Sequence, residues 1–577
     1  MKRYLVVFLI LGFCILTKAQ SVYAPINSDY SYLLDRYEIK SGNNVGSKIS
    51  SAVKPTLRKD IAQLADTLLQ DTTKRYSKVD KGNLEYLQTD NWEFSKNTTA
   101  GDTKKPFLKT FYQKKNAMYQ YKRDYFEVQA NPVFYGGVGK SKGSDTNCYI
   151  NTRGIEVRGS VDKRIGFYTF MTDNQIVFPN YVTNTITHLD AVPGEGSWSN
   201  FKNKGGVDFF TAKGYITFNI TKHITAQVGQ DKNFIGNGYR SLFLSDFSSN
   251  YMFFKTNTNV GKFNYTTIFA KLSPFLAKEY GSYHPTKYMA MHYLSINLAK
   301  RFTFGIFESI TFGNNDSLNN RTFDFAYLNP FIFYKSVEEG GPDKAHIGFD
   351  IKWNFWKHFS FYSQIFIDEF NLQQILHRKD SSGWWANKQA LQVGLKCIDV
   401  FGIKNLDLQL EENIVRPYVY SAFSVYPTNS YAANYHNYTN YQQPLADPNG
   451  ANFYESIGIL RYQPSRRLSL VAKAFYTVTG LDPYTVGQNQ PSANYGSNVS
   501  LDYNTRVHNY GNTIGQGVHT TILYTDFTAS YRAAHNIFLD LKVIVRRENS
   551  ALAVYNSHTN YATVAIRWNI PQRLNEY

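Results

Sequence analysis

The chain has 577 residues, of which 16% are aromatic and only 19% charged, and its mean hydropathy is −0.40. That composition excludes a highly charged disordered polymer and a bundle of apolar transmembrane helices. The formal net charge of +17 suits a nucleic-acid binder as well as a protein facing anionic lipid or polysaccharide, so charge alone does not choose.

The N-terminus narrows the choice. Lys2 and Arg3 precede an apolar run from Tyr4 to Leu16, and Thr17-Lys18-Ala19 makes a small-x-small approach to a cleavage point before Gln20. The run falls short of the roughly 20 residues a spanning helix needs, so residues 1–19 are predicted to be a cleaved secretory signal. Cys14 follows bulky Phe13 inside the run, which argues against lipidation. Loss of Lys2, Arg3 and Lys18 lowers the charge from +17 to +14, and export removes nucleic acid as a partner. Cys148 and Cys397 lack the spacing of a zinc or CxxC site and are expected to be unpaired. No metal or other cofactor is expected.

Residues 20–111 read as a helical region. Tyr30, Leu33, Leu34 and Tyr37 form one helical patch, and Leu57, Ile61, Leu64, Ala65 and Leu68 form a second, with Pro55 near its start. A third segment holds Leu84, Leu87 and Trp92, and polar residues 95–105 form a loop. A linker is expected over 112–124, a barrel over 125–571 and a tail over 572–577.

From Tyr125 onward the apolar period changes from about 3.6 to 2. Ile347, Phe349, Ile351, Trp353 and Phe355 alternate with Gly348, Asp350, Lys352 and Asn354, and Ala562, Val564, Ile566, Trp568 and Ile570 alternate with polar neighbours. Eight short basic or His-bearing turns recur: 162–164, 221–223, 261–262, 300–301, 357–358, 402–404, 465–467 and 534–535. Between them lie long polar insertions near 139–150, 179–206, 231–252, 274–286, 313–345, 369–388, 415–452, 480–517 and 547–557. Eight tight turns and nine long loops imply about 18 antiparallel strands, with both barrel ends on the short-turn side. Short turns at one end and long loops at the other are the plan of an all-β outer-membrane barrel. The aromatic surplus then belongs in girdles at the two lipid–water boundaries.

Strand parity sends Glu156, Arg158, Asp162, Asp350, Lys352, Asp368, Asp407, Glu411, Asp540, Lys542 and Arg567 into the lumen. Because enclosed charges need partners, opposed acids and bases across the wall are expected to form a structural network. A single-sign constriction ring, the mark of an ion-selective pore, is not legible.

Gly229-Gln230-Asp231-Lys232-Asn233-Phe234-Ile235-Gly236-Asn237-Gly238-Tyr239-Arg240-Ser241-Leu242, followed by Leu244-Ser245-Asp246, resembles the strand-to-loop segment of Wzi-type capsule assembly proteins. Tyr327-Leu328-Asn329-Pro330, Gly348-Phe349-Asp350 and Ile365-Phe366-Ile367-Asp368-Glu369 extend the resemblance across about residues 200 to 500. It implies an outer-membrane barrel with a helical periplasmic portion that holds or organises polysaccharide at the cell surface. Asn27-Ser28-Asp29-Tyr30 through Asp35-Arg36-Tyr37 also resembles the gliding-motility RemB branch of Bacteroidetes, which implies gliding or secretion machinery as partners. A general diffusion porin is a third reading.

Flat aromatic faces beside amides can hold a pyranose, so the aromatic loops are the carbohydrate candidates. The loop at 415–452 carries Tyr431, Tyr435 and Tyr438, the loop at 369–388 carries Trp384 and Trp385, and Tyr239 and Arg240 belong to the Gly-Asn-Gly segment. The net charge would draw an anionic polymer in a salt-dependent way. Catalysis is not expected, since no nucleophile motif is present. Asp368-Glu369 and Glu411-Glu412 are adjacent strand residues, which point to opposite faces.

Overall fold

Alternating strands long enough to cross a bilayer close on themselves. The computed structural model describes residues 20–26, 28–42, 51–73, 76–142, 147–201, 205–274, 286–313, 324–331, 333–338, 343–376, 382–423, 435–484 and 491–577. The proposed signal, residues 1–19, lies outside them. The wall has 18 antiparallel strands: β1 (Phe126–Ser141), β2 (Cys148–Val161), β3 (Ile165–Val177), β4 (Gly206–Asn219), β5 (Ile224–Asp231), β6 (Tyr251–Val260), β7 (Phe263–Leu272), β8 (Lys287–Ala299), β9 (Phe302–Gly313), β10 (Lys344–Phe355), β11 (Phe359–Glu369), β12 (Lys388–Cys397), β13 (Leu406–Val415), β14 (Phe453–Tyr462), β15 (Leu468–Leu481), β16 (Val518–Ala534), β17 (Ile537–Ser550) and β18 (Ser557–Trp568).

The barrel closes where β18 meets β1, in register from Tyr561 opposite Ser141 to Trp568 opposite Phe134. Closure leaves no sheet edge in lipid. Because β18 stops at Trp568, the stretch of β1 from Glu127 to Ala130 would be bare, and a short strand at Tyr119–Lys122 pairs with it. A strand therefore lies inside the segment 112–124 expected to be a linker.

Outward positions are apolar. Val138, Phe210, Met252, Trp353, Leu410, Leu523 and Val564 are all exposed, while Lys255, Lys287, Asp526 and Asp540 are buried on the inner face. Every second residue thus meets a different solvent, hydrocarbon outside and polar groups inside. Asp162, expected inward, is exposed in the turn after β2 at φ 52°, because the alternation ends with Val161.

The N-terminal residues fold into α1 (Ser28–Ser41), α2 (Arg58–Gln70) and α3 (Lys78–Asp90). Their apolar stripes bury Tyr37, Ile61, Leu64, Leu68, Leu84 and Leu87 against one another. Ser77 caps α3 reciprocally with Asp80. The helices dock among the short turns through ions. Arg36 bonds Asp80 at 3.2 Å, Asp399 at 2.7 Å and also Asp407. Lys40 joins Asp80 at 2.7 Å and Asp399 at 3.0 Å, and Asn83 exchanges hydrogen bonds with Gln463 at 2.7 and 3.1 Å. The short-turn end, periplasmic in such barrels, is occupied by this bundle.

Burial would raise the carboxyls of Asp80 and Asp399, but Arg36 overrides it, holding Asp80 below its usual value and Asp399 down to about 2. Depressed carboxylates stabilise docking fully above about pH 4, and that contribution is lost as the pH falls toward 2. Arg36→Ala leaves three acids without their shared cation and is expected to remove about 3–5 kcal/mol of docking. Hydrogen exchange should then rise across α1–α3 while the strands stay protected, and the wild type should show the same pattern as the pH is lowered through that window.

Candidate functional site

The lumen is filled from both mouths. Apart from Asp162, all ten of the expected inward charges bond groups supplied by the helices, the inward loops or nearby strands. Arg158 donates to Glu93 at 3.0 Å and to the Asp90 carbonyl at 3.0 Å, while Glu156 lies 3.9 Å from Arg58 and 4.0 Å from Arg158. Lys352 meets Glu38 at 2.8 Å, and Asp407 meets Arg36 and Tyr32. Asp350 accepts from Tyr293 and Asn237, both at 2.9 Å. Lys542 pairs with Asp526 at 2.9 Å, and Arg567 pairs with Asp540.

Asp368 lies 2.8 Å from Lys344, and Glu369 reaches the same ammonium. Adjacent strand residues were expected on opposite faces, but a register shift between Ile367 and Glu369 turns both carboxylates to one cation.

The Gly-Asn-Gly segment explains why Tyr239 and Arg240 lie inside. Residues 232–250 fold into the barrel, and a Cβ at Gly238 would come within 2.5 Å of Gln392 and 2.7 Å of Glu411. Only a residue without a side chain lets the backbone approach this closely. Glu411 accepts the backbone N–H groups of Tyr239 at 2.6 Å and Arg240 at 3.0 Å. The Tyr239 hydroxyl donates to Glu576, and Arg240 engages Glu455 at 3.4 Å and the Glu576 carbonyl. These two carbohydrate candidates therefore lie inside the barrel, where they anchor the tail and line an interior cavity.

Their partner, Glu576, belongs to a tail that turns back after β18 and climbs the lumen. Gln572 reaches Ser530 at 3.4 Å, Arg573 pairs with Glu195 at 3.2 Å, Tyr181 donates to the Asn575 carbonyl at 2.8 Å, and Arg546 donates to the Tyr577 carbonyl at 3.0 Å. Lys473 holds Glu576 at 2.6 Å. Burial would raise the Glu576 carboxyl, but Lys473 and Arg240 hold it down to about 2. An interior cavity of about 300 Å³ lies beside the tail and is lined by Lys54, Lys232, Asp246 and Arg461 among others.

The rest of the aromatic loop at 415–452 is also largely interior. Tyr438 is buried, stacks near Tyr420 at 5.8 Å and donates to the Phe243 carbonyl at 2.7 Å, so it packs a core and is corrected as a surface candidate. Tyr435 is half-buried against Gly313, and Tyr431 lies outside the described residues.

Trp384 and Trp385 are placed differently, on the long-loop rim. Trp385 lies between the Arg506 guanidinium, 4.1 Å from its ring, and Tyr503, 4.7 Å away, with Tyr418 at 6.3 Å. Its backbone N–H donates to the Asn509 carbonyl at 3.0 Å, and the Asn512 backbone N–H donates to the Gly383 carbonyl across the same junction at 2.9 Å. Two loops are thereby locked together. Trp384, 6.4 Å from Trp385, sits at the edge of this lock beside the exposed stretch from Val507 to Tyr510. Tyr503, Arg506 and Tyr510 were missed in the sequence because they lie more than a hundred residues from the tryptophans. Their own loop does carry the same mixture of rings and amides.

With this geometry in view, no protein-family profile and no curated relative matches the sequence. Among solved structures, the chain is similar to Wzi of Escherichia coli, described as an outer membrane protein involved in group 1 capsule assembly and a carbohydrate-binding β-barrel. The TM-score is 0.55 at 14% identity, covering 96% of this chain and 100% of that one. OprD of Pseudomonas aeruginosa gives a TM-score of 0.40 at 8% identity over 76% of this chain and 94% of its own, and OccK8 of the same organism gives 0.40 at 8%. The protein is an outer-membrane β-barrel of 18 strands with the fold of Wzi.

Glu576→Ala is expected to release the tail. It leaves buried Lys473 without its carboxylate, a loss of about 3–5 kcal/mol locally. Carboxypeptidase should then remove Tyr577 from the folded variant while the wild type resists.

Proposed function

We propose that the protein binds an anionic polysaccharide at the extracellular rim and holds it at the cell surface without chemical turnover. The observation that carries this reading is the ring cluster of Trp384, Trp385, Tyr503 and Arg506, in which two loops fix flat apolar faces next to a guanidinium. Rings cover the C–H face of a pyranose, while amides and cations bond its hydroxyl and acidic groups. The capsule role and carbohydrate binding of the structurally similar Wzi support the same reading.

The filled interior weighs against the diffusion porin. Helices α1–α3, the tail and the inward loops occupy the space a solute would cross. No particular contact favours the gliding-motility reading over retention of polymer.

Trp385 is the lock and Trp384 the landing face. Trp384→Ala is therefore expected to weaken binding of purified surface polymer about tenfold, with heat-modifiable folding unchanged. Arg506→Gln should lower binding most at low salt, because exposed charge interactions fade as the ionic strength rises. Polymer pull-down by the folded protein across a salt titration measures both. Binding unaffected by either substitution would remove the rim cluster from the site.

A further inference from the structure

The chain between the helical bundle and β1 is held rigidly at its base. Lys114 donates to the carbonyls of Thr98 at 2.9 Å and Ala100 at 3.0 Å and lies 4.6 Å from the Trp92 ring, and Asn116 donates to the Asp90 carbonyl at 3.0 Å. Its far end is not covered by protein. Phe107 is 64% exposed and Leu108 70%, at a turn closed by the Phe111 N–H donating to the Phe107 carbonyl at 2.9 Å.

A row of rings connects this tip to the lipid-facing wall. Phe167 lies in the outward row of β3 with Ile165 and Met171, and Phe126 stacks on it at 6.2 Å. Tyr121 follows at 6.4 Å from Phe126. Tyr119 and Tyr121 stand opposite Ala130 and Val128, so both share that outward face. Phe111 is 6.3 Å from Tyr119, and Phe107 is 6.3 Å from Phe111. Beside the row Lys104, Lys105, Lys109, Lys115 and Arg123 are exposed, while Lys122, opposite Glu127, turns to the other face. The acids nearby are Asp102, which Lys114 takes, Glu127, 3.6 Å from Lys122, and exposed Asp124.

We infer that residues 101–125 form an interfacial foot that seats on anionic phospholipid headgroups in the periplasmic leaflet beside the barrel. The apolar tip continues a surface already immersed in lipid, and its cations match phosphate headgroups. Rings and a leucine sit at the headgroup boundary while lysines stay at the phosphates. This rests on the barrel fold alone and is independent of the polysaccharide reading.

The test uses the full chain with Cys148 and Cys397 changed to Ser and a single environment-sensitive label at Leu108→Cys, or at Lys81→Cys, an exposed position of α3, as the control. Each is reconstituted in vesicles of phosphatidylcholine with phosphatidylglycerol and in vesicles of phosphatidylcholine alone, with folding checked by heat modifiability. In the anionic vesicles the label at position 108 should be shielded from aqueous iodide and quenched by nitroxide-bearing lipid, while the label at 81 stays open to iodide. Lys104→Gln, Lys105→Gln and Lys109→Gln together should reduce that shielding at least about twofold. A label at 108 as open to iodide as the one at 81, in both vesicle types, would overturn the foot and point to water or a soluble partner at the tip. Equal shielding with and without phosphatidylglycerol would overturn the anionic selectivity.

Discussion

A charge enclosed by a barrel wall must find a partner, and the rest of this structure follows from that constraint. Inward positions on many strands carry Asp, Glu, Lys or Arg, and the wall brings them too far from water to stay ionised unaided. A wide barrel does not bring opposite walls into contact. Some charges pair with the adjacent strand, as Arg567 does with Asp540 and Lys542 with Asp526, and for the others partners are brought in. Helices α1–α3 supply Asp35, Arg36, Glu38 and Arg58, the tail supplies Glu576, and residues 232–250 supply backbone N–H groups to Glu411. The guests also meet one another, since Val53 and Lys54 pair with Ile235 and Phe234 in the middle of the lumen.

The same logic divides the aromatic residues by the solvent they face. Tyr420, Tyr438, Phe243 and Phe366 form a dry interior cluster where hydroxyls bond carbonyls. Trp353, Tyr454 and Tyr476 face lipid. Trp384 and its neighbours lie on the long-loop rim, where the proposed ligand site is placed.

Much of the wall was legible because period-2 alternation reports the solvent on each face directly. The eight basic turns and nine loops give the strand number. Which side chains point inward was legible for the same reason. What they would bond was not, because Arg36 and Asp407 are 371 residues apart, and nothing in local spacing joins them. The Gly236-Asn237-Gly238 segment stood out in the sequence, yet its reason, a close approach to Glu411, exists only once β12 and β13 are beside it. The tail was the least legible part. Residues 572–577 read only as a tail, and their role depends on Lys473 and Arg240 being ready inside.

Function then follows from a closed interior. On the proposed reading, a lumen committed to pairing charge leaves exchange with the surroundings to the rim and to the faces in lipid. Single-channel recording of the wild-type protein in planar bilayers tests this most directly. The account predicts a silent membrane under applied voltage; a steady ohmic conductance through the intact chain would contradict it.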